Sequence, residues 1–200
     1  MRVIGLTGGI ASGKSTVGHH LASLSSTAVI DADLLAHEVM APNGPAYAEV
    51  VAYFGPSILT PDGAIDRPRL GAKVFGNPEA LQALNARVHP HVRQAMQAQI
   101  TAFQQQGDIQ TVFLMIPLLY ESKLTHLTEE VWVVYCTPEQ QLERLMRRSA
   151  LSYHEAQARL AAQWPIEQKR DLADWVIDNS QDEVHLKTEI NQALQRRILS

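Results

Sequence analysis

Gly8-Gly9-Ile10-Ala11-Ser12-Gly13-Lys14-Ser15 stands between Arg2 to Leu6, a run of strand character, and Lys14 to Leu24, a run of helical character. The spacing G-x-x-x-x-G-K-[ST] in that setting constrains the fold more than any other feature of the chain. Gly8 and Gly13 admit backbone angles that a Cβ hinders. Successive N–H groups can then turn inward as a nest for phosphate oxygens. The first turn of the helix behind them adds its positive dipole end. Lys14 is placed to reach β- and γ-phosphates, and the Ser15 hydroxyl to serve Mg²⁺. The pattern predicts a site for a nucleoside triphosphate.

The rest of the chain reads as strands alternating with helices. Thr27 to Ile30 predicts a second strand, and Asp33 a cap for a helix over Leu34 to Met40. Asn43-Gly44-Pro45 breaks the pattern. Pro45 to Gln106 is mainly helical, punctuated by Pro61-Asp62-Gly63 and by Asn77-Pro78, a cap followed by proline at N1. Gly107 is a helix stop. Thr111 to Ile116 and Val131 to Cys136 are continuous apolar runs of strand length, as parallel strands buried on both faces require. Thr137 to Gln140 and Ser152 to Glu155 are capping boxes. A short strand at Trp175 to Ile177 and an amphipathic helix over Glu183 to Leu199 close the chain. The alternation predicts an α/β fold with a mostly parallel sheet. The helical block is too long for one crossover and reads as an insertion forming a substrate lobe. Trp164 and Trp175 read as packing residues.

Asp31-Ala32-Asp33 follows the second strand. Two residues apart in extended chain, both carboxylates face one side, and carboxyl ends of parallel strands face the ligand crevice. Asp33 is the candidate to accept a proton from an acceptor hydroxyl. Asp31 is the candidate for the metal's hydration shell. The bland alternative is that Asp33 only caps its helix. No D-x-x-G follows the phosphate loop and no N-K-x-D occurs, which argues against a GTPase switch. The third strand runs into Pro117-Leu118-Leu119-Tyr120-Glu121 instead of an aspartate, which favours a small kinase with Asp31 or Glu121 serving the metal.

Charge is uneven along the chain. Only Arg2 and Lys14 are basic among the first 66 residues. Arg144, Arg147 and Arg148 cluster later, followed by Arg159, Lys169 and Arg170. On composition alone this is a solvated helix face. Beside a phosphate loop, Arg144 and Arg148, four apart on one helix face, are placed to stabilise charge spreading over a transferred phosphoryl group. His89-Pro90-His91, without further Cys or His, makes no zinc pattern. A net charge of -4 gives no basic field for duplex DNA or an anionic membrane. Cys136 has no partner for a disulfide within the chain. Val112 to Tyr120, the longest apolar run, is under half the roughly 20 residues of a membrane span. No signal-peptide core precedes Gly8. A cytoplasmic enzyme is expected, without nucleic acid or membrane partners and with its oligomeric state open.

Over nearly its whole length the chain resembles the dephospho-CoA kinases. The resemblance is carried by Leu6 to Ile10 with Gly13-Lys14-Ser15-Thr16-Val17, by Asp31-Ala32-Asp33 with Ala36-His37, and by Asp66-Arg67 with Leu70 and Val74-Phe75. His89-Pro90-His91-Val92-Arg93, Pro117 to Glu121 and Gln141 to Leu145 with Arg148 continue it, and Gln163, Lys169, Ala173-Asp174 and Ile177-Asp178-Asn179 complete it in order. Tyr120 stands for a usual phenylalanine, and Gln181 for a frequent glycine. The resemblance implies a P-loop kinase core of five parallel strands, a helical CoA-binding insertion near residues 45–106 and a lid near 139–172. The core segments are then 1–44, 107–138 and 173–200. It implies ATP and Mg²⁺ as cofactors and phosphoryl transfer from ATP to the ribose 3′-hydroxyl of dephospho-CoA. Lys14, Asp33 and Arg144 are then catalytic. Gly8, Gly9, Ile10, Ala11, Ser12, Gly13, Lys14, Ser15 and Thr16, with Arg144, Arg148 and Asn179, hold the nucleotide. Asp33, Arg67, His89, Arg93, Leu119 and Glu121 contact the acceptor, and Ser15 and Asp31 serve the metal.

Two other readings share part of this pattern. A small P-loop kinase for a nucleoside monophosphate or small alcohol would keep the loop and Asp33 without needing the His89-Pro90 and Pro117–Glu121 motifs. A non-catalytic nucleotide-binding module would not need the paired Asp31 and Asp33, and the missing GTPase motifs also count against it.

Overall fold

The computed structural model describes residues 1–195. Its strands are β1 (Arg2–Gly8), β2 (Thr27–Asp31), β3 (Thr111–Met115), β4 (Glu130–Tyr135) and β5 (Trp175–Asp178). Its helices are α1 (Lys14–Ala22), α2 (Ala32–Val39), α3 (Tyr47–Phe54), α4 (Arg67–Val74), α5 (Pro78–Gln106), α6 (Pro138–Ser149), α7 (Tyr153–Ala161), α8 (Ile166–Asp171) and α9 (Glu183–Gln195). The expected continuation of α9 to Leu199 lies outside the described residues.

The strands form one parallel sheet in the order β2-β3-β1-β4-β5. β1 pairs with β3 from Arg2 opposite Thr111 to Leu6 opposite Met115, and with β4 from Ile4 opposite Glu130 to Gly8 opposite Val134. β5 adds to β4 from Trp132 opposite Trp175 to Tyr135 opposite Asp178. All five residues of β3 are buried, as a strand covered on both faces must be. Every second residue builds one face: Ile4 and Leu6, Phe113 and Met115, Trp132 and Val134, then Ile177. Val17 and Leu21 of α1 and Leu186, Ile190 and Ala193 of α9 complete that core. Phe113 meets Trp132 edge-on at 5.1 Å between ring centroids.

Strand order places the site. From β1 the chain crosses to β2 on one side, while β4 lies on the other, so the order reverses at β1. Ligands bind at such switch points, outside the carboxyl ends of the strands. β1 reaches its carboxyl end at Gly8, the first residue of the phosphate loop.

The chain divides into two compact units, one spanning Asp31–Gln105 and the other Met1–Ile30 with the described chain from Gln106 onward. The first holds α2 to α4 and nearly all of α5, with a 3₁₀ turn at Pro56–Ile58 and an antiparallel bridge between Leu59 and Ile65. Leu35, Val39, Val50, Phe54, Ile58, Leu70, Val88 and Val92 are buried. The first unit thus takes in α2, ahead of residue 45 where the helical insertion is expected to begin, and α6 to α8 fall in the unit that holds the sheet. α5 runs through Pro90, which lacks the N–H for one helical bond. Asn77 accepts the Ala80 N–H ahead of Pro78, and Gly107 follows Gln106 at φ 79°. Both capping boxes form, at Thr137 with Gln140 and at Ser152 with Glu155.

Two local expectations are corrected. The α2 cap is Asp31, not Asp33: Asp31 Oδ1 accepts the N–H groups of Asp33 at 2.8 Å and Leu34 at 3.3 Å. The helix starts one residue after its cap, so Asp33 lies inside the first turn. α8 adds a helix that the sequence pattern does not announce, because it is six residues long and follows Pro165 without a side-chain cap.

Candidate active site

The phosphate loop turns tightly. Ser12 N–H donates to Gly9 C=O at 3.2 Å, and Thr16 and Val17 N–H both donate to Gly13 C=O. Gly13 caps α1 at φ 95° with no side-chain cap, and no acidic residue occupies the first turn of that helix. The positive helix end is therefore left for an external anion. Three glycines of the loop, Gly8, Gly9 and Gly13, leave no room for a Cβ, the one on Gly9 meeting the Gln141 amide. A Cβ on Gly8 would stand 2.6 Å from Ser12 Oγ and 2.7 Å from Val134 C=O, and one on Gly13 would collide with the Asn179 amide.

Three side-chain amides close on the loop from outside. Gln141 of α6 is 4% exposed, and its Nε2 donates to Ile10 C=O at 2.7 Å. Gln163 Oε1 accepts the Ile10 N–H at 2.9 Å. Asn179 Nδ2 donates to Ser12 C=O at 2.8 Å. Asn179 is expected to hold nucleotide; its amide here holds the loop. Arg144 is half-buried and donates through Nη2 to Asn179 C=O at 3.0 Å, so it stands one residue contact from the loop. Burial raises the pKa of the Cys136 thiol, and nearby Arg144 opposes that rise. Arg148, one turn on, is exposed. The structure therefore brings Gly8 to Thr16, Arg144 and Asn179 together.

Glu121 and Leu119 sit differently from expectation. Leu119 is fully buried, its Cδ2 2.8 Å from where a Cβ on Gly5 would lie, so its side chain has no surface for a ligand. Glu121 Oε1 pairs with Lys169 Nζ at 2.6 Å and accepts the Trp164 N–H at 3.1 Å. Lys169 Nζ also donates to Pro117 C=O, which accepts Thr7 Oγ1 from the residue before the loop. Lys169 is wholly buried, so it is not part of a solvated cationic face. Glu121 Oε2 is buried without a hydrogen-bond partner among the described residues. Trp164, expected to pack inside, is 38% exposed and stacks on Tyr120 at 6.3 Å. Burial, then Asp174, pushes the Tyr120 hydroxyl pKa up to about 12. Gln181 has no positive φ, so its backbone needs no glycine.

Within the helical unit, the remaining candidates fall on α2, α4 and α5. Asp33 is exposed on the first turn of α2. Arg67 opens α4 behind its Asp66 cap, and its Nη1 lies 3.2 Å from His37 Nδ1. His89 and Arg93 are four apart on α5 and share a face. Burial first, then Arg93, lowers the His89 pKa. His91 faces Glu49 at 3.4 Å. No group of three or more metal-ligating side chains forms among the described residues. Mg²⁺ needs none, because it keeps several waters and takes one or two protein oxygens beside substrate phosphates. The Ser15 hydroxyl, on the first turn of α1 and exposed, fits that demand. No helix is long and apolar enough to cross a membrane among the described residues.

Gln141 and Gln163 are legible in the sequence only as members of a family-like pattern. Neutral glutamines at irregular spacing carry no signal of their own.

The chain that carries this site is similar to known proteins over most of its length. A family profile described as dephospho-CoA kinase matches residues 2–184. The chain is 48% identical over 193 residues to a dephospho-CoA kinase of Gloeobacter violaceus, covering 96% of this chain and 91% of that one. It is 52% identical over 178 residues to one of Carboxydothermus hydrogenoformans, covering 89% and 85%. A solved dephospho-CoA kinase from Campylobacter jejuni superposes with a TM-score of 0.70 at 31% identity, covering 96% and 95% of the two chains.

Proposed function

The chain belongs to the dephospho-CoA kinase family, and from that premise we propose how its residues divide the work of ATP-dependent phosphorylation of dephospho-CoA to coenzyme A. The phosphate loop carries the reading: Gly8 to Ser15 leaves the central strand and opens α1 with no side chain capping it. The amides of that turn and Lys14 hold the triphosphate. The ribose 3′-hydroxyl is a poor nucleophile, and Asp33 orients it and takes its proton as the bond to phosphorus forms. In a loose transition state the proton leaves late, so Asp33 contributes positioning as much as basicity. Arg144 stabilises charge on the equatorial γ-oxygens, with Arg148 beside it on α6.

Ser15 would hold Mg²⁺ and Asp31 its hydration shell; bound there, the ion would neutralise charge on the β- and γ-oxygens. Asp31 has one oxygen committed to the α2 cap. Arg67, His89 and Arg93 are assigned to the phosphates of dephospho-CoA, with the helical unit as acceptor lobe and α6 to α8 as lid. Glu121, bound to Lys169, serves the lid by holding the Pro117–Glu121 turn. The enzyme is placed in the cytoplasm, with no nucleic acid or membrane partner required. Steady-state phosphorylation of dephospho-CoA, AMP and shikimate compared side by side tests the reading; a preference for AMP or shikimate would overturn it.

A further inference from the structure

Ala11 stands in the phosphate loop at φ 59°, in the left-handed region. A residue with a Cβ is disfavoured there by about five- to thirtyfold. Such a conformation persists only where its surroundings over-determine it. Side-chain amides grip the residues on either side. Gln163 and Gln141 take the N–H and C=O of Ile10, and Asn179 takes the C=O of Ser12. They come from three separate segments: the turn after α7, α6, and the residue after β5. A cavity of about 140 Å³, lined in part by Gly9, Gln141, Gln163 and Trp164, lies beside the contact.

We infer that Gln163, with Gln141 and Asn179, is a positioning residue: the three amides hold the phosphate loop in its binding shape against the strain at Ala11 before nucleotide arrives. The inference rests on the assignment of Gly8 to Ser15 to ATP. Without the clamp, the loop is competent in only a fraction of molecules, and the apparent ATP dissociation constant rises by the inverse of that fraction. Once bound, the phosphates themselves hold the loop, so kcat is unchanged. A merely structural role would do the reverse, lowering the active fraction and hence kcat while leaving the ATP KM alone.

Gln163→Met keeps the length of the side chain and removes the acceptor. Calorimetric ATP affinity, ATP KM and kcat are measured for this variant alone and with Ala11→Gly, because glycine adopts the left-handed region without strain. Gln163→Met is expected to weaken ATP binding by about tenfold, within the cost of the strained turn, with kcat and melting temperature nearly unchanged. In the Ala11→Gly background the same substitution should cost about threefold or less. A loss below about twofold in the wild-type background, an undiminished loss in the Ala11→Gly background, or a fall in kcat at constant KM overturns the clamp. Gln163→Ala gives the same readouts if the methionine variant folds poorly. Failure of the wild type to phosphorylate dephospho-CoA would sink the functional reading instead, since ATP affinity reports the clamp without any acceptor.

Discussion

Asp33→Asn separates the two jobs open to an aspartate at the head of α2. Asp31 makes the cap, so both capping bonds survive the substitution at residue 33. The substitution removes the attraction of one exposed carboxylate to the first helical turn, about 0.3–1 kcal/mol. At about 2–4 °C per kcal/mol for a chain of this size, the melting temperature should fall by no more than about 4 °C. Turnover loses far more. A positioned general base contributes about 10²–10⁴-fold, or roughly 2.7–5.5 kcal/mol of barrier at 1.36 kcal/mol per tenfold. Initial rates of ADP formation at saturating ATP and dephospho-CoA should therefore drop by at least about a hundredfold, with ATP affinity held. Asp31→Ala is the counterpart: it removes the cap, at about 0.5–2 kcal/mol, and should shift the Mg²⁺ dependence. If Asp33→Asn retains more than about a tenth of wild-type kcat, outside the range for a general base, Asp33 is not the base, and Asp31 is next in line.

Lys14→Ala should abolish turnover with a native circular dichroism spectrum, because a lysine at the mouth of the loop, on the first residue of α1, acts on phosphate charge; near-normal turnover would defeat the loop assignment. Arg144→Ala should lower kcat more than it raises the ATP KM, and a change in KM alone would make Arg144 a ground-state binder. Lys169→Met strands Glu121 as an unpaired carboxylate only 16% exposed. The cost is about 3–5 kcal/mol, roughly 6–20 °C in melting temperature, and Lys169→Met with Glu121→Gln should recover much of it. Stability should also fall on acidification. The lowered His89 pKa means that the unfolded chain takes up that proton first. The contribution is therefore complete above about pH 6.5 and is lost as pH drops below it. His89→Gln should flatten thermal melts measured between pH 7.5 and 5.5, roughly a unit either side of the free imidazole value.

Elements that are written locally are legible in the chain. β3 is an unbroken apolar run, both capping boxes carry their own partners three residues on, and the phosphate loop is contiguous. Legibility fails where the outcome depends on residues distant in sequence. Asp31 and Asp33 are equal candidates for a cap by type, and only the point where β2 stops pairing decides between them. α8 has no cap of its own, and its burial of Ile166 and Lys169 is what holds it.

Lys169 shows why charge patterning misleads. Read beside Arg159 and Arg170, it belongs to a solvated cationic face; in the fold it is wholly buried and its ammonium contacts Glu121 and the Pro117 carbonyl. A lysine is buried only with a partner, and that partner lies far upstream in the chain. The same separation hides the amides around the loop. A phosphate nest is a backbone device, so the motif names the residues whose N–H groups form it and not those that keep it in shape. Holding it needs hydrogen-bonding groups that bring no charge to compete with phosphate, which is what Gln141, Gln163 and Asn179 supply. Substitution at these amides should therefore act on ATP affinity through the backbone of Ile10 and Ser12, whereas substitution at Lys14 or Asp33 acts on the reacting groups.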